Sequence, residues 1–177
     1  MRLRDSAHAY GAVSRINHWL GALLILAMLA IGLVFIDLPT GSARTFWRTL
    51  HIAIGTSLLP LVALRIGWRL LSRTPTPLMA LARTAHLLLM VTLAAMLVSG
   101  VLMQWFGGRP IGVFDLIRFA SPLAASPLWQ ERMEQLHGVL AWCLIGLIAL
   151  HVLGLLVHSA TVGRAFWARM AGRAPRR

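Results

Sequence analysis

The chain has 177 residues, 58% of them hydrophobic and 12% charged, with a mean hydropathy of +0.75. Soluble domains carry about 25% charged residues, so this composition excludes a water-soluble globule and implies an integral membrane protein. Seventeen basic residues, all arginine, against five acids leave a net charge of +12. Such an excess suits nucleic acid or an anionic lipid surface; because the arginines stand between long apolar runs, lipid is the expected partner and nucleic acid is not. The single cysteine, Cys143, excludes an internal disulfide, a four-thiolate cluster and a CxxC redox pair. Redox or metal chemistry must therefore use nitrogen or oxygen ligands.

Taken in chain order, the first apolar run covers about residues 18–36, between Arg15 and Asp37, with no charge inside it. It exceeds the apolar region of a signal peptide and no A-x-A-like site follows, so it is expected to stay as a helix. A turn, Asp37-Leu38-Pro39-Thr40-Gly41-Ser42, leads to a second run over 50–71 that ends in Arg65 and Arg69. Those two side chains can snorkel toward an interface or pair with cofactor carboxylates. Ser72-Arg73-Thr74-Pro75-Thr76-Pro77 denies a continuous helix and marks a short connection. The third run covers 85–106. A long connection over 107–132 carries Pro110, Pro122 and Pro127 around an amphipathic Phe114-Asp115-Leu116-Ile117-Arg118-Phe119, and is expected to lie as a cap on the membrane surface. The fourth run covers 136–158. Each run approaches the roughly 20 residues that cross a bilayer core, so the expected fold is an all-α antiparallel four-helix membrane bundle forming one domain over 1–177.

Arginine placement predicts the orientation. Arg2, Arg4, Arg15, Arg65, Arg69, Arg73, Arg83, Arg164, Arg169, Arg173, Arg176 and Arg177 fall on one side; Arg44, Arg48, Arg109, Arg118 and Arg132 fall on the other. By the positive-inside rule the first side, with both termini, is cytoplasmic. Trp47, Trp105 and Trp129 outside, and Trp19, Trp68 and Trp167 inside, suit interfacial belts.

Ionisable residues inside a membrane are costly and usually functional, and this chain places His18, His51, His137, His151 and His158 inside or at the ends of its runs, with His86 opening the third. His137 and His151 are fourteen residues apart, which puts them about 40° from alignment on one helix face and about 21 Å apart along it. His51 stands three residues inside Arg48, and His137 three inside Glu134, so these two are expected at one outer depth. The same count from Asp37 and Glu134 matches His18 with His151 at an inner depth. Two imidazoles on opposed helices are what haem iron with two axial positions takes; packed or proton-relaying histidines are the alternative. Zinc would need further ligands at one depth that no cysteine or intramembrane carboxylate supplies. Gly21, Gly55, Gly138 and Gly154 follow the four histidines closely and are expected to clear room for a ring. His86 finds no counterpart at its depth and is expected to be structural, and His8 to be incidental.

Several segments resemble the bacterial cytochrome b561 family: Asn17-His18-Trp19, Leu50-His51-Ile52-Ala53-Ile54-Gly55, Thr74-Pro75-Thr76-Pro77, His86 with Gly100, Leu136-His137, and Ile148-Ala149-Leu150-His151. The resemblance implies an inner-membrane protein binding two haem b groups, one through His18 and His151 and the other through His51 and His137. It also implies ubiquinone as electron acceptor, with His158 placed to reach a quinone carbonyl. Some members of that family are similar to a superoxide oxidase, which takes electrons from superoxide outside the membrane and passes them to ubiquinone. Arg44 and Arg48, before His51, are then candidates to steer superoxide, together with Arg109, Arg118 and Arg132. Other members serve as b-type cytochrome subunits that take electrons from a hydrogenase or dehydrogenase, so a redox protein is the alternative donor. A haem-free transporter or proton channel built on the histidine stripe is the third reading.

Overall fold

Four helices account for most of the chain. The computed structural model describes residues 3 and 5 and residues 10–71, 80–114 and 116–162. Outside the described residues lie the 74–77 turn, Arg2, Arg4, Arg73, Arg164, Arg169, Arg173, Arg176 and Arg177, with His8, Asp115 and Trp167.

Helix α1 (Ala12–Ile36) opens under Asp5, whose carboxylate accepts from the Gly11 amide and the Ser14 hydroxyl, both at 2.7 Å; an acidic group there also complements the positive end of the helix dipole. Helix α2 (Ser42–Leu71) starts eight residues earlier than the apolar run, so Arg44 and Arg48 sit within its first turns and not in a connection. Its internal Pro60 has no amide to donate. Helix α3 (Ala80–Phe106) likewise starts before its apolar run, which puts His86 well inside the helix. Helix α4 (Pro127–Val162) begins after Ser126 with proline in the first turn, where its missing amide costs nothing. Its 36 residues span about 54 Å, more than the roughly 30 Å of a bilayer core, and part of the excess is the polar opening Gln130-Glu131-Arg132-Met133-Glu134-Gln135.

The expected surface cap is a β-hairpin: β1 (Ile111–Val113) pairs antiparallel with β2 (Ile117–Phe119), with Gly112 opposite Arg118. A Cβ at Gly112 would collide with the Ile117 carbonyl, which is why the strand carries glycine there.

All four helices are long and apolar enough to cross a membrane. Close packing is between α1 and α2 and between α3 and α4, while α2 meets α3 more sparsely and β1 rests on α2. Contacts of Gly21 with Leu61 and Gly32 with His51, and of Gly100 with His137 and His86 with His151, make each pair an antiparallel hairpin, and Arg48 near Gln104 with Arg69 near His86 makes α2 and α3 antiparallel too. Polarity is inverted relative to a soluble fold. Asn17, Thr56, Ser99 and Gln104 are buried, whereas Leu23, Leu87, Val139, Trp142 and Val157 face outward, the arrangement expected when the surroundings are lipid.

Candidate functional site

The two helical hairpins carry the histidines in two layers. In the layer nearer the β-hairpin, the expected outer one, His51 of α2 and His137 of α4 face each other with ring centroids 6.3 Å apart and planes at 76°. Two imidazole nitrogens each bound to one metal at about 2 Å, with about 1 Å more to each ring centre, put the centroids about 6 Å apart, so the spacing fits an iron between them. Each ring lies in a notch cut by a glycine of the neighbouring helix. A Cβ at Gly32 would come 3.3 Å from His51 Cε1, and one at Gly100 would come 3.1 Å from His137 Cε1.

Hydrogen-bond accounting then assigns the tautomer of His137. The Ser99 hydroxyl, 2% exposed, donates its one proton to the Met96 carbonyl at 2.9 Å and meets His137 Nδ1 at 3.0 Å. Having spent its proton, Ser99 accepts from Nδ1–H, which leaves the lone pair of the neutral ring on Nε2. That is the tautomer a metal-binding histidine needs, and such partners also orient the ring. On the facing side the Met28 main chain interacts with the His51 ring, while Nδ1 stays buried and without a full hydrogen bond. Phe35 covers the same ring edge-on, with centroids 5.4 Å apart.

The inner layer is built differently. His86 and His151 lie with centroids 5.3 Å apart and planes at 62°, and His18 is within electrostatic range of both. An Arg65 terminal nitrogen is 3.2 Å from His18 Nδ1. Guanidinium only donates, so His18 accepts at Nδ1 and its own proton is on Nε2, the opposite tautomer from His137. Arg69, in the last turn of α2, stands within electrostatic range of Arg65 and His86. Arg44 bonds the Leu38 carbonyl at 3.1 Å at the outer start of α2. His158 lies two turns beyond His151, half-buried on α4.

One expectation is corrected here, and two further glycines come into view. His86 is not without a counterpart: it sits at the level of His151, because α3 starts at Ala80 and carries it deeper than a helix opening at 85 would. The glycines that make room for the imidazoles are Gly32 and Gly100 across the helix pair; Gly138 and Gly154, beside the ligand candidates, face open space, and Gly55 faces Met28. The signal that finds both was present in the spacing. Fourteen residues separate His18 from Gly32, His86 from Gly100, His51 from Arg65 and His137 from His151. The hairpins thus repeat one pattern, in which Gly32 faces His51 as Gly100 faces His137, and His18 faces Arg65 as His86 faces His151. The repeat departs from itself at one facing position, where α2 carries arginine and α4 histidine.

A family model described as prokaryotic cytochrome b561 matches residues 9–173. Cytochrome b561 homolog 2 of Escherichia coli (strain K12) is 31% identical over 169 residues, covering 89% of this chain and 88% of that one.

Proposed function

Because this chain belongs to the prokaryotic cytochrome b561 family, a family of membrane b-type cytochromes that transfer electrons, we propose that it carries electrons from superoxide on the outer side to ubiquinone in the membrane. In balance, two superoxide ions become two dioxygen molecules while one quinone takes two electrons and two protons to become quinol. The observation that carries the reading is the His51–His137 pair, set 6.3 Å apart with Nε2 of His137 left as the available donor atom.

Haem b, when bound, supplies reversible one-electron exchange at its iron. The residues proposed to hold it are His51 with His137 in the outer layer and His18 with His151 in the inner. The outer pair fits as it stands. At the inner layer Arg65 must give up His18 Nδ1 before Nε2 of His18 can bind a metal, and a released guanidinium beside the site is a natural partner for a haem propionate, a role Arg69 shares. Arg15 Nε and Trp68 Nε1, near the inner ends of α1 and α2, are buried donors with no hydrogen-bond partner among the described residues. With His158 they are suited to an acceptor oxygen such as a quinone carbonyl. The outer arginines Arg44, Arg48 and Arg109 draw a small anion toward the outer layer, since like positive charge over a site raises the encounter rate in a salt-dependent way.

The arginine tally supports both termini lying in the cytoplasm, and a reporter active only there, fused after Arg177, tests it; silence from an intact, well-expressed fusion would contradict it. The electron route is tested by stopped-flow haem reduction with superoxide at two ionic strengths, followed by reoxidation with ubiquinone. The expected result is a fast reduction that slows with salt and in an Arg44→Ala/Arg48→Ala variant. A slow rate indifferent to salt and to both substitutions would favour the alternative, a cytochrome subunit that takes electrons from a docked dehydrogenase or hydrogenase.

A further inference from the structure

One helical turn outside the His51–His137 layer is a second polar cluster. On α2, Arg48 precedes His51 by three residues; on α3, Gln104 follows Gly100 by four, so each lies on the face of its helix that meets the histidines. Gln104 is 4% exposed. Its Oε1 accepts from Arg48 Nη2 at 3.3 Å and from Arg109 Nε at 3.0 Å. Two guanidinium groups therefore converge on one neutral carbonyl oxygen.

The backbone is shaped to make them converge. Gly108, at φ +67°, ends α3 in the left-handed region, and the chain folds back so that the Arg109 amide bonds the Gln104 carbonyl and the Gly108 amide bonds that of Trp105, both at 2.9 Å. This is the Schellman closure of a helix end, and here it returns Arg109 over the residue that holds it. The Arg109 guanidinium then lies on Gly107, where an added Cβ would come 2.7 Å from Nη2 and 2.8 Å from Cζ. With Nε engaged by Gln104, the terminal nitrogens are carried on the far edge of the group. Arg44 and Arg109 both act electrostatically on Arg48, and the acid that does so among the described residues is Glu134, so positive charge exceeds negative around Gln104.

We propose that Arg48 and Arg109, gathered on the buried carboxamide of Gln104, form a two-guanidinium receptor for one oxyanion of carboxylate geometry. Guanidinium groups bind carboxylates through paired, charge-assisted hydrogen bonds, and a neutral amide oxygen between two cations aligns them without cancelling their charge. The oxyanion comes either from a propionate arm of a haem held between His51 and His137 or from a small oxyanion on the aqueous side. The inference rests on the haem reading above.

The test is an optical redox titration of the purified haem-loaded protein, with and without added formate as the free carboxylate probe. Wild type is compared with Arg109→Gln, Arg109→Lys, the charge-neutral Gln104→Leu, and Gln104→Glu, which supplies a carboxylate of its own. Both Arg109→Gln and Gln104→Leu are expected to lower the outer-haem midpoint and leave the inner one in place. For Arg109→Gln the shift should be about tenfold in the oxidised-to-reduced ratio, about 59 mV for one electron. Arg109→Lys should fall between wild type and Arg109→Gln. If the oxyanion is free, formate shifts the wild-type outer midpoint saturably and Gln104→Glu abolishes the response; if it is a propionate, wild type ignores formate and the variants still shift. An outer midpoint unchanged in Arg109→Gln and Gln104→Leu overturns the proposal, as does a shift in Arg109→Gln that Gln104→Leu does not reproduce, since that reduces to charge alone. A wild-type protein that lacks the outer haem removes the haem reading, and this inference with it.

Discussion

The two helical hairpins repeat one pattern, yet the two histidine layers that they build differ in what meets the second imidazole nitrogen. In the outer layer a serine that has already given its proton to Met96 holds His137 in the tautomer with Nε2 available. In the inner layer an arginine, which can only donate, holds His18 in the opposite tautomer, and a third imidazole, His86, joins the group. One repeated spacing thus carries two chemistries at its two levels, because the atom opposite Nδ1 is an acceptor in one layer and a donor in the other. A histidine's position along a helix says where a ligand can be; the partner of its second nitrogen says whether it is ready.

The largest effects should come from the ligands. Replacing His51 or His137 with alanine is expected to remove the outer haem and roughly halve the haem-to-protein ratio, since iron held from both faces needs both axial nitrogens; His18→Ala and His151→Ala should instead remove the inner haem. Absorbance of the pyridine haemochrome against protein concentration measures this. Loss of the same haem from His51→Ala and His18→Ala would break the division into layers.

Next in size is the notch. Gly100→Ala places a methyl group 3.1 Å from His137 Cε1, tighter than a comfortable contact in a close-packed interior, and it is expected to lower outer-haem occupancy at limiting haem while the inner haem is retained. Smaller again, Ser99→Ala should keep the haem under saturating conditions but weaken its retention by about ten- to a hundredfold, the usual cost of losing a ligand's hydrogen-bond partner, and raise the outer midpoint as His137 becomes a poorer donor. Ser99→Thr, which keeps the hydroxyl, should recover the midpoint if the threonine methyl is accommodated. The smallest effect on the folded protein is predicted for Gly138→Ala and Gly154→Ala, which meet open space and should change thermal stability by no more than about 1 kcal/mol. Haem loss in either would identify the ligand-adjacent glycines as clearance for the haem itself.

The helices and the outer pair were legible in the sequence because hydropathy marks membrane spans and a depth count from bounding charges compares two helices at the same face. His51 and His137 were aligned this way, and they meet. The count placed His86 poorly because α3 begins in a segment whose hydropathy is diluted by Arg83 and Thr84, so the helix looked shorter than it is. Gly32 and Gly100 were missed because a glycine that admits an imaidazole belongs to the opposing helix, and neighbours across a helix pair are not neighbours in sequence. Gln104 carried no sequence signal at all; its role follows from the turn at Gly108, which folds Arg109 back over it.

The central claim is that the two layers hold one haem each and differ in chemistry. A potentiometric titration of the purified wild-type protein, followed in the α-band of the reduced spectrum and normalised to protein, tests it most directly. The account predicts two haem b groups per chain titrating as two separable one-electron waves, with His137→Ala deleting one wave and His151→Ala the other. A single haem per chain, or two waves that vanish together in either variant, would contradict it.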